Sequence, residues 1–162
     1  LPNGQHKLVG SVETSRGCKH HCRHCPLPAI YNGRFFIIPQ RTVLEDIGKL
    51  VNQGAQHINF VDPDFLNGPK HALQIVRAMH QRYPNLTFDF TAKVEHILKR
   101  RKDLHEIAEL GCTFIVTAVE SLSSKVLLEL NKGHTPNDVD EARDLTRTEG
   151  IGFKPTFVTY TP

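Results

Sequence analysis

Apolar residues along this chain recur at two alternating spacings, and the switches divide it into strands and helices. Leu8 to Thr14 reads as a strand that leads into a long loop rich in Cys and His. From Thr42 the period lengthens. Val43, Leu44, Ile47, Leu50 and Val51 recur at helical spacing, with Thr42 and Glu45 as a capping box and Gly54 as a stop. Ile58 to Val61 is a short strand. The turn-rich segment Asp62-Pro63-Asp64-Phe65-Leu66-Asn67-Gly68-Pro69 then enters a second helix, whose first position suits Pro69. Ala72, Ile75, Val76 and Met79 form its buried stripe, with Met79 as core filler. Leu86 to Thr91 is a third strand. The helix after it turns Leu104, Ile107, Ala108 and Leu110 inward and ends at Gly111. Asp103 and Glu106 restart it after the basic run Lys99-Arg100-Arg101-Lys102, which reads as a solvated helix end. Thr113 to Val119 is a near-continuous apolar run, as expected of a parallel strand covered on both faces. Ser123 caps a helix carrying Val126, Leu127 and Leu130, and Thr135-Pro136 opens another with Val139, Ala142 and Leu145. Phe153 to Tyr160 is a fifth strand.

Strands alternating with helices specify an α/β fold of parallel β/α units. An open doubly wound sheet and a barrel both fit this pattern. The 162 residues suffice for one domain with its own core. A final strand leaves an edge that wants a partner, and there is no initiator Met. Residues 1–162 are therefore expected to be an excerpt of a longer protein, with the next β/α unit missing. Apolar runs of a few residues predict no membrane-spanning helix, and the polar start predicts no secretory signal. The net charge of +3 is too weak to indicate nucleic acid. Of the four cysteines, three fall within eight residues and Cys112 stands alone, which is not a disulfide framework. A tight trio suits a reducing, cytoplasmic compartment and metal binding. Cys112, at the start of a buried strand, is expected to pack in the core.

In parallel β/α folds, sites form at the C-terminal ends of the strands. The first strand delivers Glu13 and the cysteine loop, and the second delivers Asp62 and Asp64. Lys93 and Glu95 follow the third, Glu120 and Ser121 the fourth, and Thr159 and Tyr160 the fifth. Taken singly, each also reads as a turn former, a cap or a solvated helix start. Together they predict one polar rim around a metal loop.

That loop, Ser15-Arg16-Gly17-Cys18-Lys19-His20-His21-Cys22-Arg23-His24-Cys25-Pro26, holds Cys-x3-Cys-x2-Cys. Thiolates are soft ligands for zinc or iron–sulfur clusters, and Arg16, Lys19 and Arg23 favour the thiolate. Three thiolates on a cubane cluster leave one iron open. A Cys3His zinc site using His20, His21 or His24 is the alternative, as a structural binding module. A fully ligated electron carrier is a third reading.

With these residues in view, the sequence resembles the radical S-adenosylmethionine (SAM) superfamily. The likeness rests on the cysteine spacing after the first strand, with His24 as the aromatic-type residue before the third Cys. "INFVDPDFLNGP" resembles the loop after the second strand in members with an acidic motif in place of Gly-Gly-Glu. "TAKVEHIL" and "FIVTAVES" resemble the third and fourth strand ends, and "NKGHTPND" is similar to a recurring Arg-Gly-His-Thr turn, with Lys132 for the Arg. "CRHCP" and "DPDFLNGP" are also similar to the radical SAM proteins named for a C-terminal Cys (or selenocysteine)-Ala-Glu-Pro tail, a tail this sequence lacks. The resemblance implies a partial (β/α)6 TIM-like barrel, here through its fifth strand. It further implies a 4Fe-4S cluster on Cys18, Cys22 and Cys25, with SAM chelating the open iron. His24 then packs near the cluster or adenine, Asp62 and Asp64 meet the SAM amino group, Lys93 pairs with its carboxylate, and Glu120 accepts from the ribose. Val158 and Thr159 lie beside adenine. A flavodoxin- or ferredoxin-type electron donor is implied as a partner; the resemblance leaves the substrate open.

Overall fold

A computed structural model describes residues 7–159. Its main sheet is built from β1 (Val9–Val12), β4 (His57–Phe60), β5 (Thr87–Thr91), β6 (Cys112–Glu120) and β7 (Gly152–Phe157). All four pairings are parallel, and the spatial order β1-β4-β5-β6-β7 follows the chain. A doubly wound sheet reverses its order at a switch point; this one never does. It is the wall of a partial TIM-like barrel, which decides between the two folds the pattern allowed.

Between β1 and β4 the chain forms a hairpin that the periodicity did not predict. Its strands β2 (Ser15–Gly17) and β3 (Phe35–Ile37) pair antiparallel and bracket the cysteine loop, with the short helix α1 (Leu27–Tyr31) inside the bracket. Three-residue strands are too short to show an alternation. Helix α2 (Gln40–Asn52) begins two residues before Thr42, behind Pro39, and the predicted capping box is not made. Thr42 is thus inside the first turn, and Glu45 pairs instead with Arg41 at 3.4 Å. The remaining helices are α3 (Pro69–Arg82), α4 (Val94–Lys99), α5 (Leu104–Glu109), α6 (Ser124–Glu129) and α7 (Pro136–Thr148). Ser123 precedes α6 without a side-chain cap, whereas Thr135 and Asp138 form a full capping box on α7.

The core lies between the sheet and the helices. Ile58, Phe60, Phe88, Phe90 and Ile115 point to one face and meet Ile47, Ile75, Val76, Met79, Ile97 and Ile107, all fully or almost fully buried. Each such side chain contributes about 1.5–3 kcal/mol by leaving water. Helix α2 packs so closely that a Cβ on Gly10 of β1 would sit 2.7 Å from a Leu50 methyl, so a larger residue there would displace Leu50. Cys112 is in this core as predicted: it is 7% exposed, and burial pushes its thiol well up from its ordinary range.

The opposite face is polar across β4 and β5, whereas β6 presents Phe114, Val116 and Ala118 there, each half-buried. There His57 Nε2 meets Asp89 Oδ1 at 2.7 Å, Asn59 Nδ2 donates to Asp89 Oδ2 at 2.6 Å, and the Phe114 ring of β6 stacks on His57. The basic run ends α4 at the surface, with Lys99 paired to Glu95 and Arg101 to Glu141. Among the described residues, no helix is long and apolar enough to cross a membrane.

Candidate metal centre at the strand ends

The loop between β2 and α1 carries three free thiols, with Cys22 buried and Cys18 and Cys25 half-buried. Cys25 N–H donates to Cys22 O at 3.2 Å, so these two share one turn. The loop is anchored from a distance. Arg23 N–H donates to Leu130 O at 3.0 Å, and Asn131 Nδ2 donates to His21 O at 3.0 Å.

The two aspartates predicted to meet SAM are otherwise engaged. Asp62, 1% exposed, accepts from Thr14 N–H at 2.9 Å, Thr14 Oγ1 at 2.8 Å and Ser15 Oγ at 2.6 Å. Both carboxylate oxygens are committed, and the carboxylate pins the exit of β1 to the exit of β4. Asp64, also 1% exposed, caps a 3-10 turn, Phe65–Asn67, by accepting from Leu66 N–H at 3.1 Å, and its other oxygen lies 2.7 Å from His96 Nδ1. A buried carboxylate must find partners within the protein; Asp62 does so with both oxygens, while Asp64 Oδ2 makes no hydrogen bond and faces His96 and, at 4.0 Å, His20 Nε2. Phe65 locks the turn by stacking on Phe60 and lying against Phe90.

Lys93 directly precedes α4 after β5, and Glu120 ends β6. Lys93 Nζ lies 3.0 Å from His20 Nδ1 and 3.2 Å from Glu95 Oε2. Burial resists the Glu95 charge, but the hydrogen bond from Lys99 and the Lys93 ammonium prevail and hold its carboxyl at about 2. Burial and the Lys93 charge hold His20 at about 4, so its imidazole is neutral at physiological pH. Glu120 stands at the end of β6 with a left-handed φ of 68°. Its Oε1 lies 3.1 Å from His24 Nε2 and 3.2 Å from Lys132 Nζ, and Lys132 is only 3% exposed. Val158 N–H donates to Glu120 O at 3.0 Å, which sets Val158 and Thr159 beside this pair on an exposed edge. Tyr160 lies outside the described residues. Four groups escaped the sequence reading as site residues: Asn67, His96, Lys132 and Gly133. A Cβ on Gly133 would fall 2.8 Å from Glu95 Oε2. The only sequence signal for them was their place in three motifs, DPDFLNGP, TAKVEHIL and NKGHTPND.

Among the described residues, His20, Glu95 and His96 are the set of three whose ligand atoms close within 4.8 Å. His24, the loop histidine before the third cysteine, is turned to Glu120. Three soft thiols on one loop suit an iron–sulfur cluster. Beside them Asn67, 2% exposed, offers an Nδ2 with no partner.

Fold and donors define a parallel β/α barrel domain with a thiolate metal centre at its strand ends. The model of the radical SAM superfamily matches residues 12–161, and the chain belongs to that family. It is 25% identical over 98% of its length to an uncharacterized methyltransferase of Pyrococcus horikoshii, covering 35% of that relative. It is 23% identical over 78% of its length to hopanoid C-2 methylase of Rhodopseudomonas palustris, covering 25% of it. The chain thus spans about a third or less of these relatives. Among solved structures, TsrM of Kitasatospora setae, a radical SAM methyltransferase with cobalamin and a 4Fe-4S cluster bound, superposes with a TM-score of 0.79 at 19% identity, covering 93% of this chain and 31% of that one. The cobalamin-dependent radical enzyme OxsB gives 0.78 at 24% identity over 93% of this chain and 24% of that one.

Proposed function

We propose that residues 1–162 form the catalytic core domain of a SAM-dependent radical enzyme, within a longer polypeptide that supplies a sixth β/α unit and flanking domains. The observation that carries this reading is the placement of the three-cysteine loop, Lys93, Glu120 and His24 at one end of a sequentially ordered parallel sheet. Cys18, Cys22 and Cys25 hold a 4Fe-4S cluster and leave one iron without a protein ligand. When bound, the cluster and SAM supply one-electron cleavage of the C5′–S bond to a 5′-deoxyadenosyl radical that abstracts hydrogen from substrate.

The chain's own residues bind and orient. Lys93 carries a fixed positive charge for the SAM carboxylate, with Glu95 and neutral His20 setting its direction. Glu120, gripped by Lys132, accepts from the ribose hydroxyls, and His24 closes the cluster side of the same pocket. Val158 and Thr159 flank the adenine. Asp62 and Asp64 act behind this shell, the first through Thr14 and Ser15 and the second through His96. The electron comes from a flavodoxin- or ferredoxin-type donor in a reducing cytoplasm, a compartment that the free cysteines support. The methylases among its relatives support methyl transfer as the class of net reaction.

Anaerobic reconstitution with iron and sulfide, reduction with dithionite and addition of SAM tests the proposal. The expected product is 5′-deoxyadenosine, lost in Cys22→Ala. A stable cluster with no product, and with an electron paramagnetic resonance (EPR) spectrum indifferent to SAM, in both this chain and the full-length protein, overturns it.

A further inference from the structure

Asn67 ends the 3-10 turn that leaves β4, and its position is fixed from three sides. Phe65 is embedded among Phe60 and Phe90, Asn67 N–H donates to Asp64 O at 3.0 Å, and Lys19 Nζ donates to Asn67 O at 2.9 Å. Its carboxamide is directed at the first cysteine of the loop. Oδ1 accepts from Lys19 N–H at 3.4 Å and lies 4.0 Å from Cys18 Sγ, within reach of a thiol proton. Nδ2 is buried without a partner. An unpartnered buried amide donor is costly, about 1–3 kcal/mol, and its persistence calls for an acceptor.

The thiol and the thiolate ask opposite things of this side chain. A thiol donates, so it faces the amide oxygen, as it does here. An iron-bound thiolate only accepts, and the carbonyl dipole facing it is repulsive. The two ends of a carboxamide have nearly the same shape, so rotation about its last torsion exchanges them without moving the backbone, trading the long 3.4 Å bond from Lys19 N–H for a bond to the sulfur.

We propose that Asn67 is a positioning residue for the metal centre, donating a hydrogen bond from Nδ2 to the Cys18 sulfur once that sulfur ligates iron. This rests on the reading that the three cysteines hold a cluster. A donor to a ligating sulfur stabilises the more negative, reduced cluster and raises its potential. Asn67 thereby joins the turn after β4 to electron entry, a role separate from any contact with SAM.

Asn67→Leu removes the donor at similar volume, and Asn67→Asp replaces it with an acceptor. EPR-monitored redox titration of the reconstituted chain reads the potential, and iron analysis reads occupancy. With iron content retained, Asn67→Leu lowers the reduced-to-oxidised ratio at fixed potential about tenfold, equivalent to about 59 mV for one electron, and Asn67→Asp lowers it further. In deuterated buffer, the wild-type cluster shows an exchangeable deuteron coupling that Asn67→Leu weakens. A wild-type cluster whose potential both variants leave unchanged overturns this inference alone. Loss of iron from both variants also overturns it, assigning Asn67 to loop architecture only. A wild-type chain that takes up no cluster overturns both this inference and the functional reading beneath it.

Discussion

Asp62→Ala provides a stringent measure of how the rim is held together. The carboxylate is 1% exposed and accepts three hydrogen bonds, from one amide and two hydroxyls of Thr14 and Ser15, themselves 1% and 3% exposed. A hydrogen bond to a charged group is worth about 1.5–3 kcal/mol. Three of them are not additive, because the hydroxyls rotate toward other acceptors while the Thr14 amide cannot, and removing Asp62 also relieves its own desolvation. The net loss is about 4 kcal/mol. In a domain of this size that lowers Tm by about 8–16 °C. Asp62→Asn keeps one oxygen for both hydroxyls but turns an NH2 group on the Thr14 amide, and is expected to cost about 2 kcal/mol. Urea denaturation followed by circular dichroism measures both, and a double-mutant cycle with Ser15→Ala is expected to give a coupling of at least about 1 kcal/mol. A loss below about 1 kcal/mol for Asp62→Ala would refute the assignment of this carboxylate as the pin between β1 and β4.

Other expectations follow from the same geometry. Gly133→Ala places a methyl 2.8 Å from Glu95 Oε2 in a residue with φ 75°; a stability loss of about 2 kcal/mol by denaturation and weaker SAM binding are expected. Lys132→Met releases Glu120 and is expected to raise the SAM dissociation constant about tenfold with iron content unchanged, while Lys132→Arg restores most of it; equilibrium dialysis with labelled SAM decides. The Glu95 carboxyl is held at about 2 in the fold against an ordinary value of 4.5. Its ionised form therefore stabilises the fold above about pH 4.5, and that contribution is lost as pH falls toward 2. Urea midpoints measured across this window should decline less steeply in Glu95→Gln.

The main sheet was legible in sequence because its strands and helices are long enough to show a period. The hairpin was not: β2 and β3 have three residues each and exist to bracket a loop. The cysteines, Lys93 and Glu120 were legible as polar residues directly after apolar strands. The orientation of Asp62 and Asp64 was not legible, since position at a strand end does not say which way a carboxylate turns. Thr14 and Ser15, unremarkable in sequence, supply the donors that turn Asp62 inward. His96 and Lys132 were obscured for a related reason, because each acts through another side chain, and only the folded chain shows which.

The cysteine loop is tied to backbone and side-chain groups of the Leu130–Asn131 turn, 110 residues later than His21 in the case of Asn131. All three ligands precede these anchors in the chain, so the loop is held on its near side by Asn67 and Lys93 before Leu130 and Asn131 complete its tether. A loop complete in sequence is thus fully anchored only once the fourth β/α unit has been made. A fragment ending before Leu130 keeps every cysteine and still presents delivery factors with a loop that lacks its far anchor.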